Sequence, residues 1–441
     1  MPERTPWPAS AAWQPDGLWV GGMRASELAE RFGTPLLVFD EGDLRERMRA
    51  VRALFPRVAY AVKAMTCAAV IRLALEEGLD LLCASGGEVR SCLRAGAPAE
   101  RIELHGNAKS DEELALAVDE RIGMVVVDDA DELERLDAVA RAAGVVQPIL
   151  LRVIPEVIVE THEAIATGHA ASKFGTPLAD APVVARRAAS LAGVHLEGLQ
   201  AHAGSQILAV DAYVGVVRAL LAVATTTGLD PRILDVGGGF GVTYASEEPL
   251  DVAALSAALR TALDAGPAPD AILQVEPGRA LVANPGLTLY RVLARKRAGG
   301  RTLVAVDGGM SDNLRPALYH AQHVMQGAGA TTDAPTERVT VVGRHCESGD
   351  VLAADTDLPA TLARGDLVAM AATGAYAYPL ASIYNRFGRP AVVGVRDGDA
   401  TLWIRREEPD DMDRLDVILG TPWEASAVPT AHGEGGTCVS G

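Results

Sequence analysis

The feature that most constrains the fold is a regular alternation of short apolar runs with longer amphipathic segments between about residues 36 and 285. The apolar runs predict strands at Val58–Val62, Leu79–Ala84, Ile102–His105, Met124–Val127, Pro148–Val153, Leu196–His202, Ile233–Val236 and Ile272–Glu276. The segments of helical spacing predict helices at Asp43–Leu54, Ala68–Glu77, Gly87–Ala95, Ser110–Asp119, Asp129–Ala143, Val183–Ala189, Ala212–Thr226 and Val252–Ala265. Eight strands and eight helices over about 250 residues are typical of a (β/α)8 barrel of the TIM type.

The pattern changes after about residue 286, where short strand-like runs are separated by Gly, Asp and Pro turns. These runs are Thr288–Leu293, Thr302–Val306, Arg338–Val342, Leu367–Ala371, Ala391–Arg396 and Ala400–Ile404. They predict an all-β second domain over 286–420. The predicted fold class is therefore α/β plus β.

Three further segments complete the predicted organisation. The barrel is expected over 36–285, after an N-terminal segment over 1–35 that packs with the β domain. Gly17–Val20 and Leu36–Phe39 are candidates for an added strand of that domain. Residues 421–441 are rich in Gly, Ala, Ser and Pro without periodicity, which predicts a mobile tail.

The composition excludes several functions. With 40 Lys and Arg against 58 Asp and Glu, the net charge is −18, whereas proteins bind nucleic acid and anionic membranes through an excess of positive charge. No apolar run approaches the roughly 18 residues that span a bilayer. The first ten residues contain acids and prolines where a signal peptide is apolar. The sequence therefore predicts a cytoplasmic enzyme that binds neither nucleic acid nor membrane.

The cysteines predict neither a disulfide framework nor a metal site. There are five of them at irregular spacing in 441 residues, without a C-x-x-C pair. Cys67 and Cys83 lie in apolar surroundings, as buried thiols usually do. Cys346 lies between His345 and Glu347 in a polar segment, a setting that favours a reactive thiol.

Two features lie in segments that follow predicted strands, where a barrel builds its active site. Lys63 ends the run Tyr60–Val62, which suits either a Schiff-base lysine or a rim lysine whose amine reaches water. Gly237, Gly238 and Gly239 follow another strand. Glycines let backbone N–H groups converge on a phosphate, but they also form ordinary tight turns. No Gly-Lys-Ser/Thr follows, so a nucleoside triphosphate is not expected.

Two more strand ends carry polar groups. Glu276 and Arg279 follow the last predicted barrel strand. A carboxylate there can pair with a cationic ring nitrogen and an arginine can bind phosphate; the alternative is a plain surface ion pair. His202 ends another strand with Ser205 close by, although a lone histidine is more often structural than catalytic.

Together these groups indicate one chemistry. They supply a lysine for a Schiff base, a phosphate cradle, a partner for a ring nitrogen and a planar side chain that can stack. Pyridoxal 5′-phosphate needs all four, and its protonated ring is an electron sink for a carbanion. Each group alone has a structural explanation, but their conjunction predicts this cofactor.

From about residue 17 to 418 the sequence resembles the fold-type III pyridoxal-phosphate decarboxylases, which share the barrel of alanine racemase. Tyr60-Ala61-Val62-Lys63 resembles the motif of the cofactor lysine, which implies that Lys63 holds the cofactor. The other cofactor contacts implied by the resemblance are stacking by His202, phosphate binding by Ser205, Gly237, Gly238, Gly239, Gly278 and Arg279, and a bond to the pyridine nitrogen by Glu276. Arg279 would also contact the substrate carboxylate.

Two motifs of the second domain resemble the substrate-binding parts of this family. The segment from 307 to 319, DGGMSDNLRPALY, resembles the one whose arginine and tyrosine bind substrate, which implies that role for Arg315 and Tyr319. The segment from 343 to 350, GRHCESGD, resembles the family's cysteine loop. It implies a homodimer with shared active sites, in which Cys346 crosses the interface to reprotonate Cα and Glu347 reads the far amino group.

Two further resemblances refine the expected reaction. Thr373-Gly374-Ala375-Tyr376 is similar to the motif whose tyrosine contacts the cofactor and substrate. The stretches 161–163, 167–168 and 173–175 resemble the branch of the family that acts on diaminopimelate. The implied reaction is decarboxylation of meso-2,6-diaminopimelate at its D-centre to L-lysine and CO2.

Three departures from the family pattern concern the substrate. Met65 replaces a usual asparagine, and Pro379 replaces a small polar residue. Leu82 stands where an aspartate is usual, and the nearest acid, Asp80, lies two residues away, about 7 Å along the strand. These departures keep open an ornithine-like, carboxynorspermidine-like or carrier-protein-bound substrate. A racemase or a cofactor carrier on the same barrel is the third interpretation, against which the cysteine loop argues.

Overall fold

The computed structural model describes residues 5–157, 172–330, 335–417 and 419. The predicted tail over 421–441 and the family motif at 161–168 lie outside the described residues. The described chain forms a closed barrel of eight parallel strands, a nine-stranded sheet and a small three-stranded sheet. The predicted (β/α)8 barrel with a second, β-rich domain is confirmed.

The N-terminal segment forms the small antiparallel sheet and continues into the large one. Its elements are β1 (Ala12–Gln14), β2 (Gly17–Val20), β3 (Met23–Arg24), α1 (Ala25–Phe32) and β4 (Leu36–Asp40). The predicted strand β2 pairs within the small sheet, whereas β4 belongs to the nine-stranded sheet. Leu18 packs in one apolar cluster with Leu36, Leu287 and Val393 of the large sheet. The segment therefore joins the β domain, and the predicted barrel range, 36–285, begins with a strand of that domain.

The barrel strands lie where the apolar runs predict them. They are β5 (Arg57–Ala61), β6 (Asp80–Cys83), β7 (Ile102–Leu104), β8 (Met124–Val127), β9 (Gln147–Val153), β10 (Val194–Ala201), β11 (Ile233–Asp235) and β12 (Ile272–Val275). The helices around them are α2 (Glu41–Leu54), α3 (Ala68–Glu76), α4 (Gly86–Arg94), α5 (Asp111–Asp119), α6 (Ala130–Ala143), α7 (Ala181–Ser190), α8 (Val210–Thr227) and α9 (Val252–Asp264). Neighbouring strands are consecutive in sequence, and β12 closes the barrel against β5.

Local sequence explains where several barrel helices begin. Asp40, Ser85, Ser110, Asp129 and Asp251 each precede a helix and accept a hydrogen bond from a backbone N–H of its first turn. Such N-caps satisfy donors that have no partner inside the helix. The strands between them are buried on both faces, as in β8, so they read as continuous apolar runs rather than alternating ones.

Helix α8 is long and apolar enough, by length and composition, to cross a membrane. In the structure it lies on the outside of the barrel, in contact with α7, α9 and β10. Val216, Val217 and Leu220 of this helix are fully buried there. Its apolar character is therefore explained by packing on the barrel.

The β domain is built on one long central strand. Its elements follow α10 (Arg279–Val282) and are β13 (Gly286–Ala298), β14 (Arg301–Val306), α11 (Arg315–Tyr319), β15 (Met325–Gly327), β16 (Thr336–Val342), β17 (Val351–Pro359), β18 (Leu367–Met370), β19 (Ala391–Arg396), β20 (Asp399–Ile404) and α12 (Pro409–Asp413). The main order is β17-β16-β14-β13-β4-β19-β20, with β18 pairing β13 and β15. The six predicted strands of this domain are confirmed, whereas β15 and β17 are additional.

The β domain closes over the carboxyl ends of the barrel strands. The N–H of Tyr376, in the loop after β18, donates to the carbonyl of Ala64, just beyond β5 (2.9 Å). The N–H of Gly374 in the same loop donates to the carbonyl of Ala283 (3.1 Å). The loops of the second domain therefore complete a cavity at the barrel face where TIM barrels carry their active sites.

Candidate active site

A cavity of about 490 Å³ lies between the carboxyl ends of the barrel strands and the β-domain loops. The predicted site residues that line it are Lys63, His202, Ser205, Gly238, Gly239, Glu276, Gly278, Arg279, Arg315, Tyr319 and Tyr376. The further lining residues are Ala61, Leu82, Cys83, Ala84, His105, Gly106, Asn107, Arg152, Phe174 and Leu380. Three predicted residues, Gly237, Cys346 and Glu347, do not line it.

Lys63 lies in a short 3-10 turn, Val62–Ala64, directly after β5. The turn carries its side chain into the cavity, where it is exposed rather than buried. Glu88 at the start of α4 is an acid within electrostatic reach. Burial raises the pKa of Glu88, while a hydrogen bond from the N–H of Ala84 and the charge of Lys63 act against that rise. The lysine amine is thus accessible to a ligand in the cavity.

The glycine loop after β11 lies against the ring of His202. A Cβ on Gly237 would lie 2.7 Å from His202 Nδ1, and one on Gly239 would lie 1.9 Å from the carbonyl oxygen of Gly204. The N–H of Gly238 donates to His202 Nδ1 (3.3 Å). Only glycine fits at such approaches, which leaves backbone atoms of this loop at the cavity wall.

His202 carries a neutral imidazole at neutral pH. Burial, together with the charges of Lys63 and Arg152, holds its pKa well below the usual value. The ring lines the cavity. A neutral planar ring suits stacking on an aromatic cofactor.

Glu276 is the buried acid of the cavity. Gln200 Nε2 donates to both of its carboxyl oxygens (3.2 and 3.3 Å), and His105 Nε2 lies 3.5 Å from Oε1. Burial raises the pKa of Glu276, whereas a hydrogen bond from Asp235 and the charge of Arg152 oppose that rise. His105 itself has a pKa well below its usual value because of burial and the neighbouring Arg152.

Two arginines form the other side of the cavity. Arg279 donates to Ser205 Oγ (2.9 Å) and to Tyr244 OH (2.5 Å), and its guanidinium lies 4.8 Å from the ring centre of Tyr376. The guanidinium of Arg315 lies 4.4 Å from the ring centre of Tyr244. Burial acts to raise the pKa of Tyr244, but the two guanidinium groups outweigh it and the pKa lies below its usual value.

These arginines suit anionic ligands. Both are more than nine-tenths buried, and no carboxylate within the described ranges forms an ion pair with either of them. A buried guanidinium is costly unless a negative group compensates it. Phosphate and carboxylate groups of ligands match its fork of N–H donors.

The cysteine loop lies apart from the cavity of its own chain. Cys346 and Glu347 are both exposed. The N–H of Cys346 donates to Asn385 Oδ1 (2.8 Å), and the neighbouring His345 is buried with Nδ1 at 2.7 Å from Asp350 Oδ2. The structure therefore holds this loop firmly but does not bring its thiol to Lys63.

Three buried polar residues at the ends of barrel strands were not predicted from the sequence: Arg152 and His105, which line the cavity, and Asp235, which does not. Arg152 lies near the end of β9, and His105 follows β7 directly. Asp235 ends β11 and is fully buried, where it accepts hydrogen bonds from the N–H of Gly237 (2.7 Å) and from Gln274 Nε2 (2.5 Å). All three stand at the carboxyl ends of apolar strands, so the signal that identified Lys63 would also have found them.

The departures from the family pattern change the cavity wall in one place. Leu82 lines the cavity and packs with Ala61 in a small apolar cluster. Asp80 lies at the opposite end of β6, where it pairs with Arg57 (3.1 Å) and Arg101 (3.0 Å). The cavity wall therefore has an apolar side chain at position 82, and Asp80 forms its ion pairs at the opposite end of the barrel.

A larger depression of about 1010 Å³ lies outside the barrel, along β17 and the segment 320–325. It contains none of the barrel strand-end residues that line the Lys63 cavity. Helix α11 separates the two spaces: Arg315 and Tyr319 line the cavity, whereas Pro316 and Ala317 line the depression. The smaller cavity is thus the one that contains Lys63 and the other candidate cofactor-binding residues.

Comparisons with known proteins show the family to which the chain belongs. The family model described as "Pyridoxal-dependent decarboxylase, pyridoxal binding domain" matches residues 41–283, more than half of the 441 residues. The chain belongs to this family of pyridoxal-dependent decarboxylases.

Several proteins similar to this chain are diaminopimelate decarboxylases. A diaminopimelate decarboxylase of Actinosynnema pretiosum subsp. auranticum is 45% identical over 93% of this chain and 95% of its own length. One of Mycobacterium tuberculosis is 43% identical over 93% of this chain and 97% of its own. The crystal structure of diaminopimelate decarboxylase from Helicobacter pylori complexed with L-lysine is similar, with a TM-score of 0.84, 30% identity, and coverage of 88% of this chain and 98% of that one.

Proposed function

We propose that this protein decarboxylates meso-2,6-diaminopimelate to L-lysine and CO2 with bound pyridoxal 5′-phosphate. The observation that carries the proposal is the cavity that unites Lys63 and Glu276 with two buried, carboxylate-free arginines, Arg279 and Arg315. The curated relatives named above support the substrate, because they match almost the whole of both chains.

The residues present fit this cofactor. Side chains on the glycine loop would collide with the backbone or with His202, so only glycine lets the backbone of this loop approach a phosphate beside Arg279 closely. Lys63 would hold the cofactor's carbonyl carbon, and Glu276 would pair with its ring nitrogen. Ser205, Gly238, Gly239, Gly278 and Arg279 would hold the phosphate. When bound, the cofactor supplies an electron sink for the electrons that remain at Cα after CO2 leaves.

The protein's own groups account for the remaining requirements. A Glu276 carboxylate beside the ring nitrogen of the cofactor would favour the protonated form of that nitrogen. Neutral His202 would stack on the ring without adding a positive charge that repels the protonated nitrogen. Arg315, Tyr319 and Tyr376 line the cavity, and in this proposal they orient the carboxylates of the substrate.

The proton that replaces CO2 comes from Cys346 in this proposal. Because Cys346 and Glu347 do not line the cavity of their own chain, they act in the site of a second copy, and the enzyme is a homodimer. The depression along β17 also borders Gly349, close to the cysteine loop, and it is a suitable surface for the second copy. The net charge of −18 disfavours nucleic-acid partners. We propose that the dimer is cytoplasmic.

The first experiment measures CO2 release from meso-2,6-diaminopimelate by the purified, cofactor-loaded enzyme, with lysine identified by mass. Lys63→Ala is expected to abolish turnover because the cofactor loses its covalent anchor. Absence of turnover by the wild-type enzyme despite a bound cofactor would refute the substrate.

Cys346→Ala tests the proton donor and the shared site together. It is expected to slow turnover while the cofactor remains bound. Mixing Lys63→Ala with Cys346→Ala should restore activity, since a mixed dimer contains one site with both native residues. Wild-type turnover by Cys346→Ala would show that another group returns the proton.

The apolar Leu82 favours one alternative, another amino-acid substrate in the same cavity. Measurement of CO2 release from a panel of diamino acids, carboxynorspermidine and carrier-bound amino acids distinguishes this alternative from diaminopimelate as the substrate. Lysine as the only product across the panel would exclude the alternative.

A further inference from the structure

The cysteine loop is held by residues 384–387, which lie between β18 and β19. The ring of Tyr384 lies parallel to the buried ring of His345, with 5.8 Å between the ring centres. Phe387 contacts the same imidazole edge-on at 5.1 Å, and the guanidinium of Arg344 lies 3.9 Å from the ring centre of Phe387. The first half of the cysteine loop is therefore packed against aromatic side chains of this segment.

Cys346 itself is held by one side chain of the segment. Its N–H donates to Asn385 Oδ1 (2.8 Å). Both residues are exposed in the single chain, where water competes for such a bond and the bond adds little to the stability of the fold. A second copy that covers the loop would remove this competition, so the contact would gain strength where Cys346 acts in the proposed function.

The backbone at this contact has an unusual conformation. Asn385 has φ +54° and ψ +21°, and Arg386 has φ +61°. Two consecutive left-handed residues other than glycine are costly, since such residues adopt this region mostly one at a time. Asparagine is among the few residue types that tolerate it. Conformations of this kind are retained mainly where they serve a site, and here the turn brings Oδ1 to the N–H of Cys346.

We propose that Asn385 is a positioning residue for the return of the proton: its amide oxygen fixes the backbone of Cys346 and so directs the thiol toward Cα of a substrate bound in the second copy. The inference rests on the proposed function, in which Cys346 is the proton donor. Asn385 does not line the Lys63 cavity of its own chain, so it acts through Cys346. A purely structural role in folding or cofactor binding is the alternative that the test must exclude.

The test separates the acceptor oxygen from the backbone conformation. Asn385→Gly removes Oδ1, whereas glycine adopts positive φ without strain. Misplacement of a group by about 1 Å can cost about a hundredfold in rate, so kcat for lysine formation should fall by about tenfold to a hundredfold, though no further than in Cys346→Ala, while KM changes little. Asn385→Asp keeps an acceptor oxygen and should restore most of kcat. Arg386→Gly is the matched control: it relieves the neighbouring left-handed residue, keeps the acceptor and should retain the wild-type kcat.

A double-mutant cycle distinguishes positioning from a structural role. In the Cys346→Ala background, Asn385→Gly should cause no further loss of kcat, because the group that Asn385 positions is already gone. A further loss as large as in the wild-type background would show an independent structural role and overturn the inference. A loss in Arg386→Gly equal to that in Asn385→Gly would also overturn it, since the backbone conformation and not the acceptor would then be responsible.

Mixed dimers show which site Asn385 serves. Asn385→Gly mixed with Lys63→Ala should regain activity, because one site then combines native Lys63 with an intact cysteine loop. Asn385→Gly mixed with Cys346→Ala should not, since each site then receives one defective loop. Restored activity in the second mixture would show that Asn385 serves the site of its own chain, and would overturn the inference.

Hydrogen exchange of the apoprotein does not depend on turnover. The amide hydrogen of Cys346 should exchange with deuterium faster in Asn385→Gly than in the wild type, Asn385→Asp or Arg386→Gly, and equal exchange in Asn385→Gly and the wild type would overturn the inference. Wild-type kcat in Asn385→Gly beside a slow Cys346→Ala would overturn the inference alone. Wild-type kcat in Cys346→Ala would refute the proton donor of the proposed function, and the inference with it.

Discussion

Replacement of Gly239 by alanine tests the proposed phosphate cradle most directly. Gly239 has φ +85°, and a Cβ there would lie 1.9 Å from the carbonyl oxygen of Gly204. The left-handed conformation costs a non-glycine residue about 1–2 kcal/mol. Relief of the collision adds about 1–3 kcal/mol, typical of overpacking a filled interior. The expected loss of stability is therefore about 2–5 kcal/mol.

Gly144→Ala is a matched control for the conformational part. Gly144 ends α6 with φ +68°, and a Cβ there meets nothing within 4 Å. Both substitutions place an alanine at positive φ and change the unfolded chain in the same way. The difference between the two variants therefore reports mainly the collision with the Gly204 carbonyl, about 1–3 kcal/mol.

The assay is thermal melting of both apoproteins followed by titration with pyridoxal 5′-phosphate. Gly239→Ala should melt below Gly144→Ala and should bind the cofactor at least about tenfold more weakly, because 1.4 kcal/mol corresponds to a factor of ten. Gly144→Ala should bind it as the wild type does. Equal melting and equal affinity of the two variants would refute the reasoning, since the loop would then accept a side chain without displacement.

Two further predictions concern buried acids outside the cavity wall. Asp350 accepts hydrogen bonds from the N–H groups of Met310 (2.7 Å) and His345 (2.9 Å). Asp350→Asn should therefore lower the melting temperature, at a cost of about 1–3 kcal/mol in stability, and should speed the modification of Cys346 by a thiol reagent. An unchanged rate of modification would show that Asp350 does not hold the cysteine loop. Burial raises the pKa of Glu103 to about 8 in the folded protein, whereas a glutamate in the unfolded chain has a pKa of about 4.3. Between these two pH values the folded state binds one proton more than the unfolded state, so stability falls as the pH rises. Glu103→Gln should make the melting temperature less dependent on pH between about pH 5 and 8, and an equally steep fall in the variant would show that other groups cause it.

The barrel could be predicted because its signals are local. A buried parallel strand is a short apolar run, and a helix that covers it has an apolar stripe at helical spacing. Each of the eight predicted strands therefore lies where its run is. The ends of those runs also identified Lys63, His202 and Glu276, because a polar group directly after a buried strand is rare unless it serves the site.

Strand β17 shows where local signals fail. Val351–Pro359 contains three aspartate or proline residues, types that are depleted in strands, and it alternates poorly. It becomes a strand because β16 offers a row of unpaired backbone groups beside it, with Val342 opposite Val351. Pairing between distant segments decided this element, and no window of the sequence contains that information.

The sequence by itself determined the number and order of the barrel elements, the glycine loop and about half of the residues that line the cavity, because each depends on residues close together in the chain. Only the tertiary structure decided that β4 joins the sheet of the β domain, that Leu82 faces the cavity while Asp80 pairs at the other end of β6, and that Gln274 bridges the buried acids Glu103 and Asp235. The physical reason is that burial, ion pairing and hydrogen bonding depend on which strands become neighbours when the barrel closes. That closure brings together acids separated by more than a hundred residues.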